Sequence, residues 1–202
     1  MSDGMNRAAA LELMNDNVKA PGLRRHMLAV EAAMHLYAEK LGNSPDLWGL
    51  AGLLHDFDWE IHPTLEDHPA KGAPILREAG CPESVVQAIL SHNTAGTGIE
   101  RQLPMDFCLL ACDEITGLMV AAALIRPSKD IREMKLKSVK KRWQEKAFAA
   151  GVDRTEVEQA TSDFSVECFA GGLELWDHGT NVLTAMQRAA TDLELDGQLA
   201  QQ

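Results

Sequence analysis

Three features are scarce in this chain of 202 residues: cysteine, long apolar runs and positive charge. The four cysteines are irregularly spaced, which is typical of reduced core thiols and not of a disulfide framework. Cys108 and Cys112 could chelate an ion from one helix face, but free cysteine is more often a small buried hydrophobe. We therefore expect a reducing, cytoplasmic location.

The longest apolar run extends from Leu118 to Ile125, far short of the roughly 20 residues that a membrane-spanning helix needs. The sequence begins Met-Ser-Asp-Gly-Met-Asn, which lacks the basic and then apolar order of a signal peptide. From these two absences we expect that the protein is not exported, does not insert into a membrane and has no membrane partner.

The formal net charge of −11 argues against a general duplex nucleic-acid binder, because duplex affinity depends on neutralising phosphates. The charge is uneven, however, since the segment from Arg126 to Lys146 carries a net charge of +6. This segment is either a local anion-facing patch or a solvated helix face. An apolar stripe at helical spacing favours the solvated face; its members are Leu136, Val139, Trp143 and Ala147.

Apolar periodicity predicts helices throughout the chain and no strands, so the expected fold class is all-α. Pro-Gly and Gly-Pro clusters separate the helices, and Ser44 and Ser128 are expected to cap helix N-termini. No repeat of 20 to 50 residues indicates a solenoid. The expected helices span about 6–17, 22–41, 45–55, 69–79, 82–92, 104–125, 135–149, 153–169 and 172–195.

Several ionisable side chains lie on the apolar faces of these helices. Asp113 shares a face with leucines, and His26 and His92 each close or continue an apolar stripe. His55 and Asp56 stand side by side at the end of the run Leu-Ala-Gly-Leu-Leu. Burying such groups is costly unless a partner or a metal ion compensates, and one or two ions would satisfy all of them together.

Two other histidines are expected to have no part in the function. His35 lies nine residues after His26, about half a turn round the same helix, which places it on the outside. His178 stands beside Asp177 and is interpreted as part of a polar turn.

The order His26, then His55-Asp56, then Asp113 resembles the signature of the HD superfamily of metal-dependent phosphohydrolases. The stretches "HPAKGAPIL" and "AILSHN", which contain His68 and His92, resemble the two further histidine motifs of members that hold two metals. The resemblance covers about residues 20–150. Two departures stand out: this chain has His-Asp-Phe-Asp where many relatives have His-Asp-Ile-Gly, and Ser91-His92 where cyclic-di-GMP-cleaving relatives have His-His.

The resemblance implies an HD-domain helical bundle and a metal site made by six residues. Asp56 would bridge two ions, and a metal-bound hydroxide would attack phosphorus. The metals implied are one or two divalent ions among Fe, Mn, Co, Ni, Mg and Zn. The implied ligands are His26, His55, Asp56 and Asp113 for one ion, and Asp56, His68 and His92 for the other.

Two further roles remain open. Lys129 or Lys135 could hold the phosphate, although they lie far along the chain from Asp113 and would need the chain to fold back. His62 could protonate a leaving group, although a surface loop histidine is the commoner case.

The expected organisation is an N-terminal helix over residues 1–20, an HD domain over 20–150, and a C-terminal helical extension over 151–202 packed on the same domain. The expected function is hydrolysis of a phosphate mono- or diester, with a nucleotide-like small molecule as the substrate. A diiron oxygenase of the same superfamily and a non-catalytic ligand-binding module are the alternatives.

Overall fold

A computed structural model describes residues 4–201. This part of the chain folds into ten α-helices and two short 3₁₀ turns and contains no β-strand, which confirms the all-α class. The helices are α1 (Arg7–Asn17), α2 (Pro21–Leu41), α3 (Pro45–Leu54), α4 (Ala73–Glu78), α5 (Glu83–His92), α6 (Thr94–Thr97), α7 (Pro104–Leu124), α8 (Leu136–Gln144), α9 (Arg154–Phe169) and α10 (Leu175–Arg188).

Local capping explains where several helices begin. Ser44 accepts a hydrogen bond from the backbone N–H of Leu47, as expected, and Pro45 opens α3. Asp153 caps α9 in the same way through two backbone N–H groups. The expected cap at Ser128 is wrong, because α8 begins only at Leu136.

Helix α7 is the centre of the fold, and α2, α5, α9 and α10 pack against it. Helix α3 lies across α2, where the two backbones approach so closely that a Cβ on Gly52 would stand 2.7 Å from the backbone nitrogen of Glu31. Only glycine fits at this crossing without a shift of one helix. The crossing holds the end of α3, where His55 and Asp56 lie, against α2, which carries His26.

The N-terminal helix α1 packs on α3, helix α9 packs on α7, and helix α10 packs on α2 and α7. Buried side chains from all these elements form one continuous core. The division into an N-terminal helix, a central domain and a C-terminal extension stays a prediction.

Helices α4 and α10 are shorter than expected, and α6 was not expected. Helix α4 starts at Ala73 and not at residue 69, because residues 69–72 form turns. Helix α10 ends at Arg188, and residues 189–195 turn back so that Leu193 and Glu194 meet the guanidinium of Arg25. Helix α6 lies where only a turn was expected.

Helix α8 ends at Gln144, five residues before its expected end, because one arginine forms hydrogen bonds with the backbone that follows it. Arg154 donates hydrogen bonds to five carbonyl oxygens, and its guanidinium lies 5.8 Å from the centre of the Trp143 ring. We call residues 145–152 the Arg154-held loop. The carbonyl oxygens belong to Trp143, Glu145, Phe148, Ala149 and Val152.

The basic segment forms mainly a solvated face, as the apolar stripe indicates. Val139 and Trp143 are buried in α8, whereas the lysines at positions 135, 137, 140 and 141 are exposed. Ala147 departs from the stripe, because it lies beyond the end of the helix and is exposed.

One helix among the described residues, α7, is long and apolar enough to cross a membrane by length and composition. Within its most apolar window, 61% of the residues are buried inside the protein. Its position is that of the central helix of a folded core.

His178 is not in a polar turn, so the expectation for this residue is wrong. It lies inside α10 with no exposed surface, because the helix turns this face towards Tyr37 and α7. The Tyr37 hydroxyl donates to Nδ1 at 2.6 Å, and Nε2–H donates to the carbonyl oxygen of Ala111 at 2.8 Å. Both ring nitrogens are therefore satisfied by a neutral imidazole.

This burial predicts a pH-dependent stability. Burial lowers the pKa of His178 to about 4, from the ordinary value of about 6.5 that it regains on unfolding. The unfolded state therefore takes up a proton first as pH falls, and stability is lost between about pH 6.5 and pH 4. Between pH 7 and pH 5 the loss from this residue is about 2 kcal/mol.

Urea unfolding of wild type and His178→Gln at both pH values measures this loss. The decrease in unfolding free energy between pH 7 and pH 5 should be smaller in the variant by about 2 kcal/mol. Equal decreases in the two proteins would contradict the assignment.

Candidate metal centre

Six ionisable side chains from separate elements meet at one point beside α7. His26 comes from α2, Asp113 from the middle of α7 and His92 from the end of α5. His55 and Asp56 follow α3 directly, and His68 lies in the turns before α4. Except for His68, each position lies on an apolar helix face or at the end of one, so core packing brings these polar groups together.

The first group contains His26, His55 and Asp113, whose possible ligand atoms all lie within 4.8 Å of one another. The Nε2 atoms of His26 and His55 are 3.1 Å apart, and Nε2 of His26 is 2.9 Å from Oδ1 of Asp113. Nε2 of His55 is 3.5 Å from the same carboxylate oxygen.

The second group contains Asp56, His68 and His92. The Nε2 atoms of His68 and His92 are 3.1 Å apart, and Oδ1 of Asp56 is 3.1 Å from His68 and 3.8 Å from His92. The other oxygen of Asp56, Oδ2, faces the first group at 3.5 Å from Nε2 of His55. Asp56 therefore presents one oxygen to each group.

Hydrogen bonds fix which nitrogen of each imidazole carries the proton. Nδ1 of His55 donates to the carbonyl oxygen of Gly52 at 2.8 Å, and Nδ1 of His92 donates to the carbonyl oxygen of Ile89. Nδ1 of His68 faces a carboxylate at 2.7 Å. A neutral imidazole has one N–H, so these bonds leave Nε2 unprotonated and directed into the cluster.

Nδ1 of His26 follows the same pattern with a longer contact. It lies 3.4 Å from the hydroxyl oxygen of Thr116, and that hydroxyl donates its own proton to the carbonyl oxygen of Asp113. The hydroxyl oxygen can therefore only accept from His26. All four imidazoles direct an Nε2 lone pair at the same place.

Positive charge is needed where these lone pairs meet. Burial alone would lower the pKa of His55, but the charges of Asp56 and Asp113 outweigh it and raise the pKa to about 10. The pKa of His68 is raised for the same reason: burial lowers it, but Asp56 and Asp58 outweigh burial and raise it to about 9. Without another cation, the cluster would hold protons.

The donor set fits divalent metal ions. Neutral imidazole and carboxylate are ligands that such ions accept, and soft thiolates are missing from the cluster. Adjacent ligands at bonds of about 2.0 to 2.2 Å stand about 3 Å apart or slightly more, which agrees with the separations of 2.9 to 3.8 Å. Metal binding would replace the protons, as it does at other imidazole sites.

The two groups open into one cavity of about 500 Å³. Its wall includes five of the six ligand-type residues, all except His55, together with the ring of Trp59 and several apolar side chains. Two carboxylates that the sequence reasoning missed, Glu114 and Glu156, also line it. Burial, followed by the charges of Asp113 and Glu156, raises the pKa of Glu114 to about 7.

The comparison with protein families found that the model of the HD domain matches residues 23–133, just over half of the chain. The chain belongs to the HD domain family. The domain implies membership of a superfamily of metal-dependent phosphohydrolases, and most of its members are metal-dependent hydrolases. No curated protein and no solved structure was found to match the chain.

One residue of this HD domain explains the departure from His-Asp-Ile-Gly. Asp58, the second aspartate of His-Asp-Phe-Asp, is completely buried, and its Oδ1 accepts the Nδ1 proton of His68. Gly72 makes room for it, because a Cβ there would stand 2.5 Å from Oδ2 of Asp58. Sequence reasoning noted the unusual aspartate but gave it no role, since its partner is ten residues away across a turn.

Asp58→Asn should weaken metal binding without removing a ligand. A carboxylate behind a ligating histidine orients the ring and raises its basicity, and its loss elsewhere costs about ten- to a hundredfold in metal affinity or activity. Competition with a chromophoric chelator measures the affinity. Asp46→Asn, on the exposed first turn of α3, is the matched control. Equal affinities for wild type and Asp58→Asn would contradict the proposed orientation of His68.

Three sequence-based candidates are not brought to the cavity. The ammonium of Lys129 donates to the carbonyl oxygen of Leu199 at 3.1 Å, because the segment after α7 packs on the C-terminal residues. His62 follows a turn that begins at Asp58, and its side chain is not part of the cavity wall. Lys135, the second candidate for the phosphate, is exposed at the start of α8.

Proposed function

We propose that this HD domain is a hydrolase that cleaves a small-molecule phosphate mono- or diester with the help of two divalent metal ions. The observation that carries the proposal is the position of Asp56, whose two oxygens face the two groups of ligand atoms. The ligands proposed for one ion are His26, His55, Asp56 and Asp113, and for the other Asp56, His68 and His92.

Divalent ions at such a site supply Lewis acidity and a hydroxide nucleophile near neutral pH. The protein's own residues supply orientation. The carbonyl oxygens of Gly52 and Ile89 and the carboxylate of Asp58 hold three imidazoles in the required tautomer. The cavity beside them has room for a small ester and is walled partly by apolar side chains.

Oxygen dependence separates a hydrolase from the alternative of a diiron oxygenase. The protein is purified without added metal, its metal content is measured, and metal-depleted protein is reloaded with Mn, Mg, Zn, Co, Ni or Fe. Under argon, we expect at least one redox-silent ion to support release of phosphate or a phosphomonoester from a panel of esters.

Two results would overturn this proposal. Turnover that requires both iron and oxygen would assign the site to oxygen chemistry. Tight metal binding with no turnover of any ester under either atmosphere would favour a ligand-binding module.

A further inference from the structure

The wall of the cavity is acidic beyond the six ligand-type residues. Glu114 of α7 and Glu156 of α9 line it, and no lysine or arginine of residues 4–201 does. Within the same described part of the chain, no ion pair includes either glutamate. A cavity that held a polyphosphate would be expected to supply cations around the phosphates. This wall is therefore suited to positive charge in the ligand.

The guanidinium of Arg101, which influences Glu156, does not line the cavity. Arg101 is directed elsewhere, since it donates to the carbonyl oxygen of Ser91 at 3.1 Å and to the hydroxyl of Thr94 at 3.2 Å. Burial and the charges of Asp113 and Asp153 raise the pKa of Glu156, and the weaker influence of Arg101 opposes them.

The cavity also contains an aromatic surface. Trp59 lines it and stands edge-on to His68, with ring centres 5.0 Å apart and planes at 90°. Aromatic faces attract ammonium groups, and tryptophan is the strongest of them. Leu65, Leu110 and Val152 complete an apolar part of the wall. Carboxylates, an indole ring and apolar side chains together form an environment that accepts an amine.

A separate observation shows that the cavity is built for a ligand. His68 and His92 are 2% and 8% exposed, and both direct their Nε2 atoms into it. Divalent ions held by these atoms would bind the phosphate of a substrate. Glu114 and Glu156 line the same cavity, so a cation elsewhere on that substrate would meet carboxylates.

Glu156 belongs to a part of the chain outside the family match at 23–133. It lies in the first turn of α9, whose N-terminus is capped by Asp153. The Arg154-held loop ends beside it and brings Val152 to the same cavity. The part of the wall that Val152 and Glu156 supply thus comes from outside the matched domain, next to the loop that Arg154 holds.

We propose that Glu156, together with Glu114, binds a positively charged amine on the leaving group, so that the preferred substrate is the phosphate ester of an amino alcohol. This proposal rests on the proposed function for the phosphate end of the molecule. The amine end has its own test, which does not require turnover.

The first test uses two phosphonates of equal length that cannot be hydrolysed at an ester bond, aminopropylphosphonate and butylphosphonate. Titration calorimetry on the metal-loaded protein should show about tenfold tighter binding of the amino compound. In Glu156→Gln the ratio should fall to about threefold or less, and in Glu114→Gln/Glu156→Gln to about one. Glu158→Gln, the same change on an exposed position of α9 outside this cavity, should keep the wild-type ratio.

The second test uses turnover of the matching esters, aminoethyl phosphate and propyl phosphate. The ratio of kcat/KM should favour the amino ester in wild type and decline in Glu156→Gln, mainly through KM. If wild type bound the two phosphonates equally and hydrolysed the two esters with equal kcat/KM, the amine proposal would be overturned and the hydrolase proposal would stand. A tenfold preference in binding with no hydrolysis of any ester would keep amine recognition and overturn the hydrolase.

Discussion

Asp56→Ala should abolish metal-dependent ester hydrolysis, with a loss of about a thousandfold or more in kcat/KM. The reason is that one side chain serves both groups, with Oδ2 at 3.5 Å from His55 and Oδ1 at 3.1 Å from His68. In the proposed function, its removal would delete a ligand of each ion and the carboxylate that joins them. The measurement is phosphate release by protein loaded with the most effective ion.

The control for this change is Asp46→Ala, which removes a carboxylate from an exposed position on α3. It should retain wild-type turnover with a small loss of helix stability, because an acidic residue in the first turn contributes only a few tenths of a kcal/mol up to about 1 kcal/mol. A folded Asp56→Ala protein with a normal metal content and more than about a tenth of wild-type activity would contradict the bridging role.

His68→Ala and His92→Ala should each lower the bound metal from about two equivalents to about one. Both residues belong to the second group, whose Asp56 turns its other oxygen towards the first group. Loss of one imidazole leaves a single histidine and one carboxylate oxygen there, too few ligands for tight binding. Elemental analysis after dialysis measures the stoichiometry, and turnover should decline in parallel.

The matched control is His35→Ala, a partly exposed histidine of α2 whose nearest carboxylate is Glu31 at 3.9 Å. It should keep two equivalents and normal turnover. His178 is unsuitable as a control, because its imidazole is buried and bonded to Tyr37 and Ala111. Two equivalents retained in both His68→Ala and His92→Ala would show that the second group holds no ion.

The sequence allowed the helices and the family to be predicted, because both depend on local patterns. Apolar periodicity predicts that Asp113 and His26 lie on buried helix faces. The pair His55-Asp56 at the end of an apolar run can be recognised directly from the sequence. The structure brings these residues together as the resemblance implied. Their role as ligands stays a prediction that the metal analysis will test.

Contacts that depend on the path of the chain after α7 could not be predicted. Lys129 follows the end of a straight helix that continues for about 16 Å beyond Asp113, so the basic segment points away from the cluster. Glu156 reaches the cavity only because the backbone turns sharply after Gln144. No periodicity encodes that turn, which depends on a single guanidinium contacting carbonyl oxygens up to 11 residues away.

The arrangement around Arg154 also bears on how this protein could be redesigned. Every residue type provides a backbone carbonyl, so the hydrogen bonds that hold residues 145–152 do not depend on which side chains the loop carries. A library that randomises the exposed side chains of the loop while keeping Arg154 should therefore yield mostly folded proteins. The same fold could then be screened for new substrates through one short segment, with the metal ligands left untouched.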